Sequence, residues 1–433
     1  MKQTTLALLF LFGGVGASAQ TVAPAKPRSS AATTLKAAPA SLPAIDALLR
    51  EYTADNRVPG AIALIAHDGK IVYRKAFGVD DEATQKPLRE DAILRIASQT
   101  KAITSVGVMM LYEQGKFQLD DPISKYLPAF RNPRVLATFN EKDSTYTSVP
   151  ARSEVTIRQL LTHTSGISYP VIGTKEARAI YAKAQIPSGI GTPGGTLAAA
   201  MNRLGPLPLM HQPGEQFTYG LSVDVLGYLI EVVSGQTLDQ FLRTRLFEPL
   251  SMRDTYFYLP AAKQARLAVL YTEDANKKTA KMGPRDGMTP DYPKAAGTYF
   301  SGGAGLSSTI DDYAVFLQML LNGGEYQGRR LLKPATVRLI TSNQIGTVNQ
   351  GQNKFGLGFS LTTATSAAQT GLSEGSFEWG GIFGTTYWVD PKAKIVALVY
   401  TQKYPNSAGG DLAGKFKRLV RQVVIEAPAS PAK

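Results

Sequence analysis

The chain of 433 residues contains no cysteine, which excludes a disulfide framework, a thiolate zinc site and a cysteine nucleophile. Its formal net charge is +13, but the positive residues are scattered, apart from Lys277, Lys278, Lys281 and Arg285 in a polar stretch, and no nucleic-acid motif accompanies them. Nucleic acid is therefore not an expected partner. The three histidines, His67, His163 and His211, are far apart and form no paired ligand spacing, and no glycine-rich segment runs into Gly-Lys-Ser/Thr. Neither a metal nor a cofactor is expected.

In chain order, Lys2, the apolar run TLALLFLF and Ala17-Ser18-Ala19 make a secretory signal peptide over 1–19, cleaved before Gln20. The run is too short to span a bilayer. The mature chain is thus expected to be exported, periplasmic or secreted, without an integral membrane segment. Residues 20–42, rich in Ala, Pro and Ser, form a flexible linker, and 427–433 a tail of similar character. Residues 43–54 have helical periodicity through Ile45, Leu48, Leu49 and Tyr52. GAIALIAHDGKIVYRKAFG is two β-rich runs joined by Asp68-Gly69, a hairpin signal. The region 96–299 is mainly helical and loop-rich. FGLGFSL (355–361), GIFGTTYWV (381–389) and KIVALVYTQ (394–402) read as strands, and a last helix places Leu412, Phe416, Leu419, Val420 and Val423 on one face. The expected class is α+β: an antiparallel sheet built from both chain ends, 43–95 and 300–426, flanked by helices, with a mainly helical domain, 96–299, inserted.

Ser98-Gln99-Thr100-Lys101 opens a helix that is apolar almost all round, and such a helix is buried. By composition, Ser-x-x-Lys arises by chance roughly twice in a chain of this length. The second copy, Ser430-Pro431-Ala432-Lys433, lies in the polar tail with no helix behind it. At Ser98 the context differs. Free N–H groups and the helix dipole favour negative charge there, Lys101 lies one turn on, and a buried lysine must find a partner or lose its proton, since desolvation disfavours its charge. That is an activated-nucleophile arrangement, weighed against a capping serine beside a snorkelling lysine. Tyr219, at a loop-to-helix junction, can be a second proton carrier, and Trp379-Gly380-Gly381-Ile382 can bring a second backbone N–H to an oxyanion hole. Two decoys are set aside. Gly371-Leu372-Ser373-Glu374-Gly375 fits a nucleophile elbow, but no histidine follows His211 to act as its base. His163, where a helix gives way to a turn, reads as structural.

Seven segments together resemble the penicillin-recognising serine hydrolases, the family of class C β-lactamases, D,D-peptidases and related esterases. They are VPGA (58–61), RIASQTK (95–101), LDDPISKYLP (119–128), TIRQLLTHTSGI (156–167), PGEQFTYG (213–220), GAGLSSTIDDY (303–313) and WGGIFGTTYWVDP (379–391). The resemblance implies the β-lactamase/transpeptidase-like fold. It implies Ser98 as the acylated nucleophile, Lys101 as its general-base partner and Tyr219 as proton shuttle, with the N–H groups of Ser98 and Ile382 as oxyanion hole. Two departures bear on substrate. Leu221 stands where the family's Tyr-x-Asn motif has its amide, and Trp379-Gly380-Gly381 replaces Lys/His-Thr-Gly, removing a cation. The esterases of this fold, those called class VIII, share that pattern. The expected function is a serine hydrolase acting through a Ser98 acyl-enzyme as a carboxylesterase or acyltransferase on small esters, with Trp379, Gly380, Gly381 and Leu221 contacting substrate. A β-lactamase or a D,D- or D-amino peptidase working on a β-lactam-like substrate is the alternative, and a catalytically silent cell-wall binding module is a third.

Overall fold

The computed structural model describes residues 36–37, 42–285 and 288–426. The expected signal peptide, most of the linker and the tail 427–433 lie outside the described residues.

Helix α1 (Pro43–Ala54) opens on a proline, whose fixed φ suits a first helical turn, and buries Ile45, Leu48, Leu49 and Tyr52. Strands β1 (Gly60–His67) and β2 (Lys70–Asp81) follow. The turn between them has positive φ at both Asp68 and Gly69, which matches the twist of a two-residue hairpin. Helices α2 (Thr100–Glu113), α3 (Ser222–Ser234) and α4 (Ile310–Leu321) come next. The chain then returns to the sheet as β3 (Lys354–Phe355), β4 (Ser360–Leu361), β5 (Phe377–Gly381), β6 (Thr385–Asp390) and β7 (Ile395–Tyr400), and ends in α5 (Gly409–Val420).

These strands lie in the order β2-β1-β7-β6-β5-β4-β3, each antiparallel to its neighbours. The two chain ends meet where β1 pairs with β7, from Ile62 opposite Tyr400 to His67 opposite Ile395. Alternation along the strands divides their side chains between two cores. Ala61, Ala63, Ile65, Trp388, Ala397 and Val399 pack with the apolar faces of α1 and α5. Ile62, Leu64, Tyr387, Leu398 and Tyr400 face the larger core shared with α2, α3 and α4. Because both faces are covered, β1 and β7 are unbroken apolar runs. This is the mixed fold expected, a large antiparallel sheet flanked by helices.

Local details differ from the sequence reading. FGLGFSL is not one strand but the tight β3–β4 hairpin, turned at Gly358 with φ +95°. GIFGTTYWV likewise contains the β5–β6 turn, with Gly384 at φ +83°, so Gly381 ends one strand and Thr385 begins the next. The region 96–299 also holds two small hairpins, Arg134–Phe139 with Tyr146–Pro150 and Tyr271–Glu273 with Thr279–Lys281. Polar-rich short strands such as YTSVP and TAK carry little of the periodic signal on which the sequence reading relied. Among the described residues no helix is long and apolar enough to cross a membrane.

The attachment of α5 depends on Phe416, which is fully buried and meets Trp388 edge-on at 5.5 Å between ring centroids. Replacing Phe416 with Ala removes that ring and leaves a cavity between helix and sheet, so Phe416→Ala should cost roughly 3–5 kcal/mol. Urea unfolding with constant m-value checks this; a loss below about 1 kcal/mol would mean that α5 is not seated as described.

Candidate active site

Ser98 sits in a single 3-10 turn, Ala97–Gln99, that leads straight into α2. The residue before it, Ala97, has φ +44°, a conformation that costs a side-chain-bearing residue about 1–3 kcal/mol and persists only where the surroundings enforce it. Those surroundings are specific. Ile96 N–H donates to the Leu306 carbonyl at 3.1 Å, and Leu306 N–H donates back to Thr100 Oγ1 at 3.1 Å. Tyr313 of α4 donates its hydroxyl to the Gln99 carbonyl at 2.8 Å, while Tyr400 of β7 donates to the Gln99 side chain. The turn that presents Ser98 is thus clamped between a helix and the middle of the sheet.

The end of β5 presses on the same turn. A Cβ on Gly381 would come within 2.4 Å of the Ile96 carbonyl oxygen and 2.4 Å of Thr385 Oγ1, so only glycine permits this approach. Ile382, the next residue, shares a cavity wall with Ser98.

Lys101 is 2% exposed and lies one turn into α2. Its Nζ donates to the Gly303 carbonyl at 2.8 Å and to the Tyr169 hydroxyl at 3.1 Å, and stands 4.6 Å from the centre of the Tyr219 ring. Burial by itself lowers a lysine. The oxygens of Tyr169 and Tyr219 and the Asp224 carboxylate more than offset that and hold Lys101 above the ordinary lysine value. Of the two outcomes open to a buried lysine, finding a partner or losing its proton, Lys101 takes the first: its charge is answered on the spot.

Tyr219 is carried by a loop laced to the end of the helix Ile157–Leu161. Thr218 N–H donates to the His163 carbonyl at 2.7 Å, and Leu221 N–H to the Ser168 carbonyl at 3.2 Å. Gly220 is forced by crowding, because a Cβ there would lie 2.1 Å from the Ile167 carbonyl oxygen. The Tyr219 hydroxyl is buried and has no hydrogen-bond partner, a costly state that suits a group whose partner arrives with the substrate. Beneath the Tyr219 ring lies His163, 4.9 Å away between centroids and fully enclosed, with Phe217 and Phe355 around it. Burial, then the Lys101 charge, push the His163 imidazole well below its usual range, so it is a neutral packing ring at physiological pH.

A cavity of about 350 Å³ opens over these groups, lined by Ser98, Tyr169, Val171, Ile172, Ile190, Tyr219, Trp379, Gly380 and Ile382. None of these carries a charge. Of the residues expected at the site, Ser98, Tyr219, Trp379, Gly380 and Ile382 share this wall, with Lys101 directly behind it. Leu221 and Gly381 do not line it: Leu221 is wholly buried at the start of α3, and Gly381 is turned onto the Ile96 carbonyl. Tyr169 and Asp224 were missed. Each stands near a recognisable segment, Tyr169 just after HTSGI and Asp224 just after FTYG, but only long-range packing brings them to Lys101. Ser373 lies in a loop after the helix Ala364–Thr370, where its N–H donates to Asp390, and so lacks the strand an elbow requires. Among the described residues no cluster of His, Asp or Glu is placed to hold a metal ion.

A buried Ser-x-x-Lys turn facing a tyrosine, packed against an antiparallel sheet flanked by helices, defines a serine hydrolase of the β-lactamase/transpeptidase-like fold. The chain belongs to the β-lactamase family, whose model matches residues 45–422. Esterase EstB of Burkholderia gladioli is 31% identical over 398 residues, which cover 88% of this chain and 94% of EstB. The structure of EstCE1, described as a hydrolase with promiscuous acyltransferase activity, aligns with TM-score 0.75 and 26% identity over 87% of this chain and 97% of that one. Simvastatin synthase (LovD) from Aspergillus terreus aligns with TM-score 0.74 and 25% identity over 89% and 98%.

The contact of Gly381 with the Ser98 turn is open to test. Gly381→Val should push β5 off the Ile96 carbonyl and lower turnover of any Ser98-dependent substrate roughly 10–100-fold while the far-ultraviolet circular dichroism stays native. Wild-type turnover in this variant would mean that the approach does not position the site.

Proposed function

We propose that the protein is an exported carboxylesterase or acyltransferase acting on small, uncharged esters through an acyl-enzyme on Ser98. The observation that carries this reading is the cavity itself: a serine at a strained, clamped helix start, with a lysine–tyrosine pair beside it, opening into about 350 Å³ walled by Val171, Ile172, Ile190, Ile382 and Trp379 with no cation. An apolar wall rewards ester groups that shed water, whereas the carboxylate of a penicillin or a peptide terminus would be desolvated there without a partner. The likeness to EstB, EstCE1 and LovD supports the same reading.

In this mechanism the Ser98 hydroxyl proton passes to the Lys101–Tyr219 pair, in its form short of one proton, as Oγ bonds to the ester carbonyl carbon. The carbonyl π electrons move onto its oxygen, which the N–H groups of Ser98 and Ile382 receive. Lys101 and Tyr219 act as one unit, because the ammonium lies over the tyrosine ring. When the tetrahedral intermediate collapses, the bond to the alkoxy group breaks and the proton held by the pair goes to the departing oxygen. Water or another alcohol then attacks the acyl-enzyme by the reverse sequence, which gives hydrolysis in one case and acyl transfer in the other. Export rests on Lys2, the apolar run that follows and Ala17-Ser18-Ala19.

The test uses the purified mature protein with p-nitrophenyl acetate and butanoate, and with benzylpenicillin. Ester turnover should exceed β-lactam turnover, and Ser98→Ala should lower ester kcat/KM by at least about 10³-fold. Faster turnover of the β-lactam would overturn the substrate class. Undiminished turnover by Ser98→Ala would overturn the nucleophile.

A further inference from the structure

Asp224 has no assigned task, although a carboxylate is among the costliest groups to bury. It is fully enclosed in the first turn of α3, where α3 packs against α2. Ser301 donates its hydroxyl to Oδ1 at 2.6 Å, while Oδ2 is buried with no side-chain partner and with the Gly303 backbone beside it. Neutral donors alone do not neutralise a buried carboxylate. The direction of Oδ2 follows from Gly303. A Cβ at Gly303 would stand 2.4 Å from Asp224 Oδ2 and 3.4 Å from Lys101 Nζ, so the anion and the cation flank the same gap left by a missing side chain. The two do not form a contact ion pair; Lys101 spends its hydrogen bonds on the Gly303 carbonyl and Tyr169.

Resting on the Ser98 reading above, we propose that Asp224 is a positioning residue for catalysis: its carboxylate is the counter-charge that fixes the Lys101 ammonium beneath Tyr219 across the Gly303 gap. The groups facing Asp224 are Lys101 of α2, Tyr169 of the 163–169 loop, and Ser301 and Tyr299 of the segment before α4. Lys101 is the one cation among them. With Asp224 ionised, the positive charge of the catalytic pair is held at Lys101. Burial raises the Asp224 carboxyl above its usual value, and the Ser301 hydroxyl and the Lys101 charge oppose that rise.

The sign of the effect is fixed by charge. The pair must lose a proton to become active, and a neighbouring carboxylate opposes that loss. In Asp224→Asn the loss becomes easier, so the acid limb of the kcat/KM profile for p-nitrophenyl acetate should move to lower pH by about one unit or more, while Asp224→Glu should restore the wild-type limb. A structural role alone lowers activity or stability without moving the limb, and an unmoved limb in Asp224→Asn overturns the proposal. Asp224→Ser, which also removes the charge, serves if the Asn variant does not fold. Nitrogen-15 NMR of Lys101 Nζ reads the same coupling without substrate. The midpoint of its deprotonation should fall when Asp224 loses its charge, and an unchanged midpoint overturns the proposal even if no ester is turned over. Absence of Ser98-dependent ester turnover in the wild type, with the NMR midpoint still shifted, would instead refute the esterase reading alone.

Discussion

A lysine held at 2% exposure imposes a demand on everything around it, because its positive charge must be answered inside the protein. At Lys101 the answer is assembled from four places in the chain. Gly303 and Tyr169 accept its hydrogen bonds, the Tyr219 ring lies over it, and the Asp224 carboxylate stands across a gap that only glycine leaves open. Those partners come from α3, from the loop that leads into it and from two further loops. The cation therefore ties the helical part of the molecule to the turn that presents Ser98. Removing any one partner would leave charge buried without compensation, so the site is one electrostatic unit and not a set of separable groups.

The sheet supplies the second half of the arrangement. Tyr400 of the fully buried β7 grips the Gln99 side chain and the end of β5 lies on the Ile96 carbonyl, so a strained Ala97 and its neighbour Ser98 are fixed by two strands of the sheet. Strain at a nucleophile is tolerable when the scaffold is this rigid, and the reactive hydroxyl is then held without needing a hydrogen bond of its own to the backbone. The apolar wall of the cavity completes the division of labour. Polar groups gather on the side of Ser98 that faces Lys101, and alkyl and aromatic groups gather where a substrate would lie.

Much of this was legible in the sequence where the signal is local. The buried helix behind Ser98, the Asp68-Gly69 hairpin, the unbroken strands β1 and β7 and the amphipathic α5 all follow from periodicity and turn residues. The ordered family segments led correctly to the fold. What escaped depends on partners distant in the chain. The ionisation of Lys101 stays open in the sequence because its hydrogen-bond partners lie 68 and 202 residues away, and burial alone favours the opposite sign. Asp224 looks like an ordinary acidic residue in a first helical turn, and Tyr169 like a packing aromatic. Leu221 and Gly381 were assigned to the substrate contacts by their place in a motif, yet Leu221 is wholly buried and the α-carbon of Gly381 faces the Ile96 carbonyl, orientations that a motif does not encode.

The account stands or falls on Ser98 as the atom that becomes acylated, with its carbonyl oxygen received between Ser98 and Ile382. The most direct measurement is a crystal structure of the protein after reaction with a fluorophosphonate. The account predicts a phosphonyl group on Ser98 Oγ, with one phosphonyl oxygen facing the N–H groups of Ser98 and Ile382 and the chain of the probe lying along Trp379. An adduct on another residue, such as Ser373, or a Ser98 adduct whose oxygen points away from Ile382, would contradict it.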